Sequence, residues 1–221
     1  MIKSGIDQDA LVAMFSQATA KQGEALRKAV AETTLKALQG RELTLANIRS
    51  VLKTVTEAAS AGAAKSGLPM PEVEGLLSQA FAGMDAALLK TVEANRRALE
   101  QFVGQGMDVQ DKQIKGVLAN LQKMEDMFFA TVGKAAQGAG QPLVGPWAQV
   151  LKAMKLKGTG TGVGASQTVE QMLAQAQTTL RDSRASGLKA AQAMMQSYST
   201  LVSGVLIGMS EGLRPPKAPR K

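Results

Sequence analysis

Cysteine and histidine are both absent from this chain of 221 residues. Without cysteine the chain has no disulfide, no thiolate nucleophile and no cysteine-based zinc or iron–sulfur site. Without histidine it lacks the Ser-His and Cys-His catalytic arrangements and the commonest transition-metal ligand. Only carboxylate, lysine or tyrosine chemistry would be left to an enzyme. The sequence therefore predicts a protein that is not an enzyme and that holds neither a cofactor nor a metal.

Aromatic residues are scarce, at 3% of the chain, although hydrophobic residues make up 45%. Alanine, leucine, valine and methionine must therefore supply most of the core. Alanine has the highest helix propensity, whereas a β-sandwich favours β-branched and aromatic residues. The composition predicts an all-α protein.

Long apolar runs are missing as well. The most apolar window, residues 198–209, is shorter than the roughly 20 residues that a membrane-spanning helix needs. Asp7 and Asp9 lie where a signal peptide requires an unbroken apolar segment. These features predict a cytoplasmic protein that does not insert across a membrane.

The excess of positive charge, +8 overall, is confined to two segments. Residues 134–169 contain Lys134, Lys152, Lys155 and Lys157 and no acidic residue. The tail, residues 214–221, contains Arg214, Lys217, Arg220 and Lys221, again without an acid. Such a tail can contact a polyanion such as nucleic acid, or it can be a disordered end that only solubilises the chain. The sequence favours neither interpretation.

Apolar residues recur at helical spacing along the first 140 residues. Asp7 or Asp9 is expected to cap a first helix that ends at Gly40, and Thr44 to cap the second. The second helix carries an a/d seam of Leu45, Ile48, Leu52, Val55 and Ala59. The third runs from Pro71 to Val103 with the apolar face Val73, Leu77, Ala80, Met84, Ala87, Thr91, Leu99 and Phe102. A fourth follows from Asp108 or Asp111, and the short breaks predict an antiparallel four-helix bundle over residues 1–140.

The remaining chain is expected to divide into three parts. Residues 141–165 comprise a short basic amphipathic segment that starts at Pro146, followed by a glycine-rich flexible linker. Residues 166–213 form a separate long helix capped by Ser166 or Thr168. Residues 214–221 are the disordered basic tail.

Two motifs match known binding sites loosely but lack the surroundings that such sites require. The run GTGVGA at residues 160–165 matches a loose dinucleotide-binding pattern, but a basic helical segment precedes it where the fingerprint requires a strand. Paired carboxylates such as Glu125 and Asp126 have no histidine with which to complete a di-iron site. They are interpreted as helix-start or solvated charges.

The long helices ALRKAVAETTLKALQG (25–40) and MDAALLKTVEANRRALEQFV (84–103), the lack of cysteine, the few aromatics and the basic Pro/Lys end together resemble the phasins. Phasins coat polyhydroxyalkanoate storage granules in bacteria. The resemblance implies a non-catalytic homo-oligomer that coats a hydrophobic polymer or lipid-like surface in the cytoplasm. The expected surface-binding residues are Trp147, Leu151 and Met154 in the basic segment and Met194, Met195, Leu201, Val205 and Leu206 in the last helix.

The alternative function is that of an oligomeric helical scaffold or adaptor. It would associate through the apolar seam of the second and third helices, while the basic tail contacts a polyanion.

Overall fold

The regular structure of the protein is helical wherever it is described. A computed structural model describes residues 6–18, 22–39, 44–104, 116 and 119–182, and these contain no β-strand. The helices are α1 (Gln8–Gln17), α2 (Gly23–Leu38), α3 (Leu45–Lys65), α4 (Met70–Gly104), α5 (Met124–Gln137), α6 (Gln141–Lys157) and α7 (Gly160–Asp182). The predicted all-α class is therefore confirmed. None of these helices is both long and apolar enough to cross a bilayer.

Two of the expected helix caps are present. The Asp7 carboxylate accepts a hydrogen bond from the Ala10 amide at 3.0 Å, and the Thr44 hydroxyl accepts one from the Asn47 amide at 3.2 Å. Each bond satisfies one of the amide groups that a helix start leaves without an intrahelical partner. Caps of this kind depend on residues three positions apart, which is why the sequence predicts them.

The single first helix predicted between Asp7 and Gly40 is wrong, because α1 ends at Gln17 and α2 begins at Gly23. Ala18, which follows α1, has extended backbone (φ −69°, ψ 138°) and lies in the core. The two helices pack mainly against different partners, α1 against α3 and α2 against α4. The break lets each segment bury its own apolar face.

The core is one cluster of apolar side chains to which all the described helices contribute. In α3, the seam residues Ile48, Leu52, Val55 and Ala59 are fully buried, and Leu45 packs against the cluster. In α4, the predicted face is buried at Val73, Leu77, Ala80, Met84, Ala87, Thr91 and Leu99. A stacked pair, Phe81 and Phe128, joins α4 to α5 with ring centroids 4.4 Å apart. The seam therefore lies inside a single chain.

Glycine permits close helix contacts at two positions in this core. A Cβ built on Gly62 of α3 would collide with the Cβ of Phe15 in α1. A Cβ built on Gly83 of α4 would lie 2.6 Å from the carbonyl oxygen of Arg27 in α2. Neither position has room for a side chain, so α1–α3 and α2–α4 approach each other more closely than larger residues allow.

The division predicted after residue 140 differs from the structure. Helix α6 begins at Gln141 and includes Pro146, and α7 begins at Gly160, within the segment expected to be a flexible linker. Both helices contribute to the common core, through Leu143, Trp147 and Val150 from α6 and through Ala165 and Val169 from α7. The basic segment and the start of the last helix are therefore parts of the packed structure. Residues 183–221, with the rest of the predicted last helix and the basic tail, lie outside the described residues.

Candidate functional surface on α6 and α7

Helix α6 is amphipathic, with one face in the core and the other exposed. Pro142 occupies its first turn, where the fixed φ of proline suits a helix start, and Gly158 ends it with a positive φ of 77°. Leu143, Trp147 and Val150 form its buried face.

Trp147 is a core residue, which corrects its prediction as an exposed surface-binding residue. Its side chain is only 1% exposed, and its Nε1–H donates a hydrogen bond to the Ser60 hydroxyl of α3 at 2.9 Å. The Ser60 hydroxyl in turn donates to the carbonyl oxygen of Thr56 at 2.8 Å. Burial of the indole ring is favourable, and its polar group finds a partner inside the core. The apolar face predicted for this segment exists, but at Trp147 it points into the protein.

The other two residues predicted on this segment lie at the edge of the core. Leu151 and Met154 are half-buried and pack against the apolar cluster. They therefore flank the exposed face of α6 instead of forming its centre.

The most exposed large apolar side chain in the described part of the chain is one that the sequence analysis missed. Leu156, near the end of α6, is 82% exposed and lies between Lys155 and Lys157, which are also exposed. We call these three residues the Lys-Leu-Lys corner. The Lys-Leu-Lys pattern is visible in the sequence. The helical spacing of the apolar residues nevertheless favoured the face that contains Trp147 as the surface-binding one. Only the direction in which α6 packs reveals Leu156 as the exposed apolar residue.

The two lysines of the Lys-Leu-Lys corner and the neighbouring Lys152 differ in their surroundings. The Nζ of Lys155 lies 5.5 Å from the centroid of the Phe129 ring of α5, within the range of a cation–π interaction. Lys152 and Lys157 are exposed and form no ion pair with a described residue. The exposed face of α6 therefore presents uncompensated positive charge beside an exposed leucine.

The N-terminus of α7 is capped by groups from two other helices. The Asp85 carboxylate of α4 accepts hydrogen bonds from the Gly160 amide at 2.8 Å and from the Thr161 amide at 2.9 Å. The Thr159 hydroxyl accepts a bond from the Gly162 amide at 2.9 Å and donates to the Glu125 carboxylate of α5. Anionic groups are favourable at this end of a helix because its free amides carry partial positive charge.

These caps and the close packing explain why the glycine-rich run is helical. A Cβ on Gly162 would collide with the Glu125 carboxylate, and a Cβ on Gly164 would lie 2.6 Å from Cδ1 of Leu89 in α4. The glycines thus provide close approach to α4 and α5, and the predicted flexible linker is wrong. The predicted caps differ as well, because Thr159 caps α7, whereas the Thr168 hydroxyl is buried and donates to the Gly164 carbonyl at 2.8 Å.

An open groove of about 380 Å³ lies beside the start of α7. It is lined by Glu125, Gly158, Thr159, Gly162, Val163, Ser166, Gln167 and Glu170. In the part of the chain that the structure describes, no group of three or more Asp or Glu side chains is placed to hold a metal ion. We assign no chemistry to the groove, and the expectation that the protein is not an enzyme stays a prediction.

The remaining predicted site residues lie outside the described part of the chain. These are Met194, Met195, Leu201, Val205 and Leu206 of the last predicted helix, and Arg214, Lys217, Arg220 and Lys221 of the tail. The scaffold alternative depends on the apolar seam of the second and third predicted helices. Because that seam is buried within one chain, an oligomer would need a different surface.

Comparison with known proteins yields a family without an assigned function. A family model described as a family of unknown function, DUF6781, matches residues 1–215. No curated protein and no solved structure matches the chain. The family match contains no link to the phasins, so neither the resemblance nor the granule function receives support from it.

Proposed function

We propose that this chain, which belongs to the DUF6781 family of proteins of unknown function, is a non-catalytic helical protein that binds a hydrophobic surface such as a polyester storage granule. The observation that carries this proposal is the Lys-Leu-Lys corner. Leu156 is 82% exposed at the end of an amphipathic helix whose opposite face is fixed in the core. Lys155 and Lys157 adjoin it in the sequence, and Lys152 lies one turn earlier.

The chemistry of this face suits the boundary between an apolar phase and water. Leucine gains about 1.5–3 kcal/mol when its side chain moves from water into an apolar environment. Lysine stems can lie along an apolar surface while their ammonium groups remain hydrated. Each lysine adds about 1 kcal/mol if the surface is anionic. One copy of α6 therefore supplies modest, reversible binding, and a stable coat needs several copies or more apolar area from the same chain.

Substitution of Leu156 by serine tests the proposal. We expect Leu156→Ser to weaken binding to polyhydroxybutyrate particles by about tenfold or more, because the main apolar contact of the exposed face is lost. The measurement is co-sedimentation of the purified full-length chain with the particles over a range of particle concentrations. Circular dichroism of the wild type and of Leu156→Ser checks that the substitution leaves the helix content unchanged.

The matched control is Met70→Ser, since Met70 is 51% exposed at the start of a different helix, α4. It should bind like the wild type. The proposal fails if the wild-type protein stays in solution, or if Leu156→Ser binds as tightly as Met70→Ser.

A salt titration of the wild-type protein separates this function from the scaffold alternative. Adsorption through apolar contacts should persist as the salt concentration rises from about 0.05 to about 0.5 M, which shortens the screening length about threefold. Binding to a polyanion such as DNA should instead fall steeply over the same range, because it depends on counterion release. Particle binding that disappears with salt while DNA binding dominates at low salt would favour the alternative.

A further inference from the structure

Helix α6 presents positive charge on both sides of its exposed leucine. Successive residues of an α-helix are rotated by about 100° around its axis. Lys155 and Lys157 therefore project to opposite sides of Leu156, and Lys152 lies one turn before Leu156 on the same face. The other exposed positions of this helix carry no charge. The middle of the exposed face is thus apolar, and its surroundings are cationic.

The charge of these lysines is not balanced within the described part of the chain. None of the three forms an ion pair with a described residue. The Lys155 ammonium lies over the Phe129 ring instead, a contact that leaves its positive charge in place. Lysines in a last turn favour the end of a helix, but Lys152 precedes that turn. The exposed face of α6 can therefore attract an anionic group from outside the chain.

The large apolar side chains that are exposed on other described helices have acidic neighbours. Met70, 51% exposed, starts α4 together with Glu72. Val163, 57% exposed, lines the groove that also contains Glu125 and Glu170. An anionic surface would repel both of these positions and attract the Lys-Leu-Lys corner. Charge therefore distinguishes α6 from the other exposed apolar positions.

We infer that the surface contacted by α6 carries anionic lipid, with Leu156 among the acyl chains and Lys152, Lys155 and Lys157 beside the phosphate groups. The inference rests on the function proposed above and names the chemistry of the bound surface. A lipid layer offers both anionic headgroups and an apolar interior that can bury a leucine side chain. A nucleic acid backbone would satisfy the lysines but would leave Leu156 in water.

Vesicles with and without anionic lipid test the inference on the full-length protein. The wild type is co-sedimented with vesicles of phosphatidylcholine alone and with mixed vesicles that also contain phosphatidylglycerol. We expect binding to the mixed vesicles to be at least about tenfold tighter, because lysines near an anionic surface each contribute to affinity. This preference should decrease as salt screens the charges. Equal binding to the two kinds of vesicle would overturn the inference.

The double variant Lys152→Gln with Lys157→Gln tests whether the preference comes from α6. Lys155 is retained because it contacts an aromatic ring of α5. The matched control is Lys28→Gln with Lys36→Gln, since both lysines are exposed on α2 and the net charge falls equally. In about 0.1 M salt, which screens charges beyond about 10 Å, the α2 variant should bind mixed vesicles like the wild type. The α6 variant should bind them about tenfold more weakly. Equal losses in the two variants would show that only net charge matters, against the inference.

Leu156→Ser separates a lipid layer from a nucleic acid. This variant keeps every lysine, and we expect it to bind mixed vesicles about tenfold more weakly because the inserted apolar side chain is lost. Its binding to DNA should equal that of the wild type. The face would be assigned to a nucleic acid if DNA binding required Lys152 and Lys157 while vesicle binding did not require Leu156, and the inference would then be wrong.

The outcomes distinguish this inference from the function on which it rests. If the wild-type protein binds bare polyhydroxybutyrate particles but does not prefer mixed vesicles, anionic lipid is excluded and the proposed function remains. If it binds mixed vesicles through α6 but not the bare particles, polyester binding is excluded and recognition of anionic lipid is supported. If it binds neither, both proposals are excluded.

Discussion

Trp147→Ala is expected to destabilise the fold by about 3–5 kcal/mol, as found generally for the truncation of large buried aromatic residues. The indole ring is 1% exposed at the contact between α6 and the core. Its removal leaves a cavity that the surrounding helices fill only in part. It also takes away the Nε1–H that the Ser60 hydroxyl accepts at 2.9 Å. No other aromatic residue in α6 can replace these contacts.

Urea unfolding followed by circular dichroism measures the loss of stability. Val144→Ala is the matched control, because Val144 lies on the same helix and is 39% exposed. We expect its effect to be below about 1 kcal/mol. Since Trp147 is the one tryptophan of the chain, its fluorescence offers a second test. Emission typical of a fully hydrated indole in the native protein, or a loss of stability similar to that of Val144→Ala, would show that Trp147 is not in the core.

Gly83→Ala is expected to destabilise the protein by about 1–3 kcal/mol, although alanine is normally the better helix former. A methyl group at this position would lie 2.6 Å from the Arg27 carbonyl oxygen and 2.7 Å from the Cβ of Val30. The Arg27 oxygen belongs to the α2 backbone and the Val30 Cβ is bonded directly to that backbone. Neither atom can move by itself, so α2 and α4 must separate to make room. The cost of this separation exceeds the roughly 1 kcal/mol that alanine contributes through helix propensity.

Gly75→Ala is the control on the same helix, and its expected change in stability has the opposite sign. Gly75 is exposed, and a Cβ there would meet nothing within 4 Å. We therefore expect this substitution to stabilise the protein by up to about 1 kcal/mol. The comparison uses the same urea titration for both variants. Equal effects of one sign would contradict the close contact between α2 and α4 at Gly83.

Local features of the fold were predictable from the sequence. The caps at Asp7 and Thr44, the buried seam of α3 and the apolar face of α4 all follow from residues a few positions apart. The close contact at Gly83 is of another kind, since nothing near Gly83 in the chain specifies α2 as the partner helix.

The break between α1 and α2 was not predictable in the same way. No proline or glycine occurs between Gln17 and Gln22 to mark it, and the apolar spacing continues across it. The break exists because α1 and α2 pack against different helices. The candidate surface shows a similar limit, because the sequence identified an amphipathic α6 but selected Trp147 instead of Leu156 as an exposed residue.

The sequence by itself determined the helical class of this protein and several helix starts, because helix propensity, apolar spacing and side-chain caps act over one or two turns. The tertiary structure alone decided that Trp147 points inward and that the glycine-rich run is the start of α7. The physical reason is the distance along the chain to the deciding partners: Ser60 lies 87 residues before Trp147, and Asp85 lies 75 residues before Gly160. Only packing brings such groups together.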